Sequence, residues 1–193
     1  MRWTLAAMMM LAAPALAQVP LAEEVGSWRL GCVVDRMTDR AACQLRHRDW
    51  VDRGSVSAVG LALEIQDRGG RLVPVVSARE LGLDGASRGL MVLTGRVQMR
   101  LGDSPMFEMR CGLEGRSVFC FPNPAEAERI ERDLVTASRL LVRLGGNAEP
   151  TEIRLERTRD AMAAYRRQVP PGPPVTEGND LGEMINRLQR LFQ

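Results

Sequence analysis

Four cysteines carry most of the reactive chemistry this chain has to offer. Cys32 and Cys43 bracket "VVDRMTDRAA", and Cys111 and Cys120 close the stretch "CGLEGRSVFC". They could be metal ligands, a redox couple or covalent staples. Zinc would want close C-x2-C pairs with histidines nearby, and the single histidine is His47. A thioredoxin-type couple needs C-x-x-C, which the sequence lacks. His47 stands two residues before Asp49 in "QLRHRDW", which suggests a base with its orienting acid, and Ser55 and Ser57 follow in a predicted loop. No G-x-S-x-G elbow accompanies them, and a lone surface histidine is the commoner case. A hydrolytic cleft would draw on Asp49, Asp52 and Glu64. "EGND" and "DGAS" lack the spaced oxygen ligands of a calcium loop, and "RLGGNAEP" lacks a phosphate-loop lysine. These residues point to no catalytic set, no metal and no cofactor.

The compartment decides what the cysteines become. The chain opens "MRWTLAAMMMLAAPALAQ", with Arg2 as a positive n-region, Leu5 to Ala13 as a short apolar core and Ala15-Leu16-Ala17 as a small-x-small cleavage site. The pattern predicts a cleaved signal peptide over 1–17 and a mature chain starting at Gln18. The apolar run is far short of the roughly 20 residues a bilayer span needs, and no later run is long enough, so no integral membrane span is expected after cleavage. An exported chain meets an oxidising compartment, periplasmic or extracellular, where an even cysteine count reads as disulfides. Four cysteines allow three connectivities. Each sequential pair, however, flanks a predicted hairpin, and hairpin partners lie within disulfide reach, which selects Cys32–Cys43 and Cys111–Cys120.

The basic residues are all arginine, interleaved with acids as in "AEAERIERDL", and the formal net charge is only +2. That distribution excludes the basic face a nucleic-acid binder needs.

The elements that would position these residues are mostly strands. After a short leader over residues 18–27, "WRLGCVV" and "ACQLRHR" flank the polar turn "DRMTDR". "GLALEIQ" and "RLVPVVS" are joined by "DRGG" as a second hairpin, with Pro74 predicting an edge or a bulge. "GLMVLTG", "RVQMRLG" and "MFEMRC" follow, and Val97, Met99 and Leu101 alternate with Arg96, Gln98 and Arg100. Asn123-Pro124-Ala125-Glu126 then reads as an N-cap, a proline at the first helical position and a capping-box glutamate. The helix should run to about Ser138 on Ala127, Ile130, Leu134 and Ala137. "RLLVRLG" and "TEIRLER" return to strand, and "RDAMAAYRRQ" closes with a short helix. The predicted fold is mainly β, an antiparallel β-sandwich or barrel-like domain over 18–168 with one or two short helices. A Pro-rich linker follows over 169–178, then a C-terminal amphipathic helix over 179–193. Its stripe of Leu181, Met184, Ile185, Leu188, Leu191 and Phe192 would either dock on the domain or bind elsewhere. Together with Trp28 and Trp50, which flank the first disulfide, these residues form the candidate interaction surface. For the two tryptophans, core packing around the staple is the competing role.

The order of these features resembles the invasion-associated locus B family of exported bacterial proteins. "WRLGC" from Trp28 to Cys32 is similar to that family's opening Trp-x-x-x-Cys, and "CQLRHR" from Cys43 to its second cysteine and strand. "ELGLDGASRGLMVLTGRVQMRLGD", "MFEMRC", the helix from Pro124, "RLLVRLG" and "IRLERTRDAMAAY" fall in the family's order, covering Val25 to Arg167. The chain departs from it at the second cysteine pair, which in the family is closer and ends in Gly-Cys, whereas Phe119 precedes Cys120 here. The resemblance implies a β-rich exported domain engaged with the envelope or a host cell, with no catalytic residues to carry over. The expected function is therefore a non-catalytic interaction protein with an unidentified envelope or host protein as partner. The alternative is a periplasmic hydrolase with a carboxylate-lined cleft.

Overall fold

The computed structural model describes residues 21–54, 60–79, 97–146 and 148–172. The signal segment, the strand expected at "GLMVLTG", Ser55 and Ser57, and the C-terminal helix with its six-residue stripe lie outside the described residues.

Among the described residues ten strands form one antiparallel sheet: β1 (Leu21–Val25), β2 (Trp28–Asp35), β3 (Arg40–Asp52), β4 (Leu61–Arg68), β5 (Arg71–Ala78), β6 (Val97–Leu101), β7 (Phe107–Glu114), β8 (Ser117–Pro122), β9 (Arg139–Leu144) and β10 (Thr151–Arg154). Their order is β1-β2-β3-β4-β5-β8-β7-β6-β9-β10. Two helices accompany them, α1 (Ala127–Thr136) after a 3-10 turn at Pro124–Glu126, and α2 (Thr158–Gln168). The mainly β expectation holds. The architecture is a single open sheet whose curl brings β10 back beside β3, without a ladder between the two end strands.

Local chemistry explains most of the elements. In β2, Trp28, Leu30 and Cys32 face the core while Arg29, Gly31 and Val33 face outward, the period of a half-buried strand. β4 and β5 are buried on both faces, which is why they read as near-continuous apolar runs. They are joined at Gly69-Gly70, where φ is +68° and +84°, the mirror-image turn that suits a hairpin's twist and that glycine adopts without strain. Pro74 pairs with Ile65 of β4, but the ladder to β8 begins only at Val76. Pro74 therefore sits in an edge stretch with one neighbouring strand. Asn123 caps the turn before α1 by accepting from the Ala125 N–H at 3.1 Å. Glu126 pairs with Arg129 at 2.7 Å, and α1 ends at Thr136, two residues before the expected stop.

One expectation is corrected. The stretch assigned to a leader contains β1, which pairs along its length with β2 from Leu21↔Cys32 to Val25↔Trp28. The connection turns at Gly26, where φ is +61° and a Cβ would stand 2.3 Å from the Glu156 carbonyl oxygen.

The main core lies between the inner face of the sheet and the two helices. Trp28, Leu30, Leu45, Ile65, Met99 and Leu140 from the strands meet Ile130 and Leu134 of α1 and Ala161 and Tyr165 of α2. Each fully buried large side chain stabilises the fold by about 1.5–3 kcal/mol. Both disulfides form as expected, Cys32–Cys43 and Cys111–Cys120, each joining directly opposite residues of a hairpin.

Candidate functional site

Glu64 is the residue around which a site is built. It lies in the middle of the apolar run "LALEI" on β4, opposite Arg46 of β3 and Val75 of β5, and faces away from the main core. A carboxylate 1 % exposed in such a strand must find donors or neutralise. It finds five. Oε1 accepts from Gln44 Nε2 (2.8 Å), Ser77 Oγ (2.5 Å) and Arg79 Nε (2.7 Å). Oε2 accepts from Gln66 Nε2 (2.8 Å) and Arg79 Nη2 (2.6 Å). Burial alone would raise the Glu64 pKa. The bonds from Arg79, Ser77 and Gln66, with the Arg79 charge, outweigh that and hold it below the ordinary glutamate value.

The β3–β4 ladder ends at Leu45↔Ile65, and beyond it a polar cleft of about 280 Å³ opens. Gln44, Glu64, Gln66, Arg79, Phe119 and Tyr165 line it. Its aromatic side belongs to β8, where the Arg79 guanidinium lies 5.0 Å from the Phe119 ring and Arg68 lies 4.8 Å from Phe121. Arg68 also pairs with Glu114 at 2.7 Å and donates to Gln66 Oε1 at 2.9 Å. At one margin Asp67 binds Arg166 of α2 and accepts from the N–H groups of Gly70 (2.8 Å) and Gly172 (3.1 Å). Burial raises the Asp67 pKa, and these three donors bring it below the usual range. The first residues past α2 are thereby tied to the β4–β5 turn. Burial, then the Asp67 charge, raises the Tyr165 pKa.

The other acid–base candidates fall elsewhere. His47 is corrected from a surface residue to a buried one, 1 % exposed at the seam between β3 and the end of β10. Its Nε2 donates to the Arg154 carbonyl at 2.9 Å, and its Nδ1 accepts from the Asp49 N–H at 3.0 Å. A backbone N–H can only donate, so the ring is the neutral Nε2–H tautomer. Burial lowers its pKa, partly offset by those two bonds and by the nearby Asp49 carboxylate. His47 pairs with Trp28 in the unbroken β2–β3 register, two residues on from buried Leu45, so its ring faces inward and meets Trp28 edge-on at 5.0 Å. Asp49 is half-exposed, 4.0 Å from His47 and Arg48, and Asp52 caps the Gly54 N–H at 2.9 Å. Neither lines the cleft that holds Glu64.

Trp28 is corrected as an interaction residue. It is wholly buried, and its indole N–H donates to Thr158 Oγ1 at 3.1 Å, so it joins β2 to α2. Trp50 is 38 % exposed, but the Arg46 guanidinium lies 3.9 Å from its ring centroid and Gly60 abuts its benzo ring. Among the described residues, the exposed large apolar side chains that the sequence did not single out are Val33 (64 %) and Met37 (92 %) on the β2–β3 hairpin, Met106 just before β7 and Leu113 on β7.

Chemically, the cleft presents an ionised, fully bonded carboxylate, a disulfide sulfur in place of a thiol at Cys43, and amide and guanidinium donors. That set can hold a polar partner by hydrogen bonds. Two further carboxylates line the cleft, Glu114 paired with Arg68 and Asp67 with Arg166. The donors around Glu64 were not read from the sequence. The signal for them was the acid itself, since a glutamate inside an unbroken apolar strand calls for a paired cation. Comparison with protein-family models, with curated proteins and with solved structures finds no match.

Proposed function

We propose that this is a non-catalytic exported protein of the bacterial envelope, periplasmic or secreted, that acts by binding an envelope or host protein. The observation that carries the reading is the saturation of Glu64 by five donors. His47 has both ring nitrogens engaged, so neither group is left for proton transfer. The two disulfides suit an oxidising compartment, and among the described residues no helix is long and apolar enough to cross a membrane. The resemblance to invasion-associated locus B proteins supports the same role.

Binding surface is supplied by the β2–β3 hairpin, whose tip carries Met37 and whose outward face carries Val33, just beyond the Cys32–Cys43 staple. Immobilised wild-type protein should capture a discrete partner from envelope extracts, and the Val33→Ser, Met37→Ser pair should lose it without a change in melting temperature. Hydrolytic activity abolished by Glu64→Gln in an otherwise folded protein would overturn the reading.

A further inference from the structure

We propose that the outer face of β6 and β9 carries a binding site for a small carboxylic acid with an apolar body of about six carbons, a size set by comparison with cavities that hold benzene. A cavity of about 150 Å³ opens there. Met106, Leu141 and Pro150 supply its apolar lining, and Gln98 and Arg143 its polar end. The register explains the arrangement. Gln98 stands opposite Arg143 and Arg100 opposite Leu141, so one face of the strand pair alternates polar heads with an apolar floor.

The Arg143 guanidinium at the polar end has donors to spare. Among the described residues, Arg143 makes one side-chain hydrogen bond, Nη1 to the neutral Gln98 Oε1 at 3.3 Å, and no ion pair. Its Nε is buried without a partner. Arg68 is the only other described residue with such an Nε, and there Glu114 and the ring of Phe121 answer the charge. Glu152 stands opposite Leu141, and not Arg143, across β9–β10. Arg100 at the rim differs, because Asp103 at 3.6 Å and the Gly102 carbonyl at 3.0 Å occupy its guanidinium. A guanidinium with open donors at the end of an apolar cavity selects a carboxylate, which takes two parallel N–H bonds while its hydrocarbon body displaces water from the lining. Met106, half-exposed at the mouth, is an unbranched side chain able to repack around such a body.

Titrations of the purified protein with hexanoate, hexanol and hexylammonium at pH 7, read by backbone amide shifts, test the site. Hexanoate should give saturating shifts centred on Met106, Leu141 and Arg143. Hexanol should bind about tenfold more weakly or worse, and hexylammonium should give no response at this site. Arg143→Met keeps the stem and removes the charge, and should weaken hexanoate about tenfold while leaving hexanol unchanged. The wild-type probe series and shift map decide the matter even where that variant fails to fold. Equal binding of the three probes, shifts centred elsewhere, or no saturation by about 10 mM hexanoate would overturn the proposal.

Discussion

Replacing Arg79 by leucine removes the cation that keeps Glu64 charged inside the sheet. The guanidinium contributes two of the five bonds to the carboxylate, at 2.6 and 2.7 Å, and is the only formal charge among its donors. Breaking a buried pair from one side costs about 3–5 kcal/mol, because a desolvated charge is left behind. Arg79 is itself 43 % exposed, and Gln44, Ser77 and Gln66 remain as neutral donors, which places Arg79→Leu at the lower end, about 3 kcal/mol at pH 7. For a chain of this size that is a fall in melting temperature of about 6–12 °C. The deficit should shrink on acidification. In the wild type Glu64 has a folded pKa below its ordinary value of 4.5, so its stabilisation is present above that pH and is lost as pH falls through the folded value. In the variant burial dominates, the folded pKa rises, and stability is lost as pH rises through it. Thermal melts of both proteins from pH 7 to pH 4 should therefore converge, and Glu64→Gln added to Arg79→Leu should recover most of the loss. A deficit under about 1 kcal/mol at pH 7, or one that does not change with pH, would refute the reasoning.

Because burial depresses the His47 pKa below 6.5, the unfolded chain takes up its proton first, and stability should decline as pH falls from 6.5 through the folded value. His47→Gln should flatten that part of the melting profile, and an unchanged slope would dissociate it from the histidine. Gly26→Ala should destabilise by about 2–3 kcal/mol, since the new Cβ meets a backbone carbonyl at a positive φ. Gly115→Ala, at the same φ of +61° with nothing within 4 Å, should show only the conformational cost of about 1–2 kcal/mol. Equal losses in urea melts would contradict the contact with Glu156. Non-reducing peptide maps should recover Cys32 linked to Cys43 and Cys111 to Cys120, and crossed links would contradict the hairpin registers.

What was legible in the sequence was what is local. Val97, Met99 and Leu101 announce their shared face by alternation, Gly69-Gly70 announces its turn, and each cysteine pair is set by one hairpin's register. β1 was not legible, because five residues with Glu23 and Glu24 at their centre have no strand signature of their own and are fixed by pairing with β2. His47 looked like a surface residue because "RHRD" is polar on every side. Its burial follows from the β2–β3 register, which sets it opposite Trp28, and from the Arg154 carbonyl, 107 residues away in the chain. The Glu64 cluster follows the same logic, since its cation comes from the end of β5 and the distance between the two is set by the β4–β5 hairpin.

The central claim is that the buried acid serves the fold and leaves the protein to act by binding. The most direct test follows the Glu64 side-chain carboxyl carbon by NMR from pH 7 to pH 3. The structure requires a midpoint below 4.5, with the carboxylate ionised throughout the neutral range. A midpoint near 6, as a catalytic general acid has, would contradict the account and restore the hydrolase.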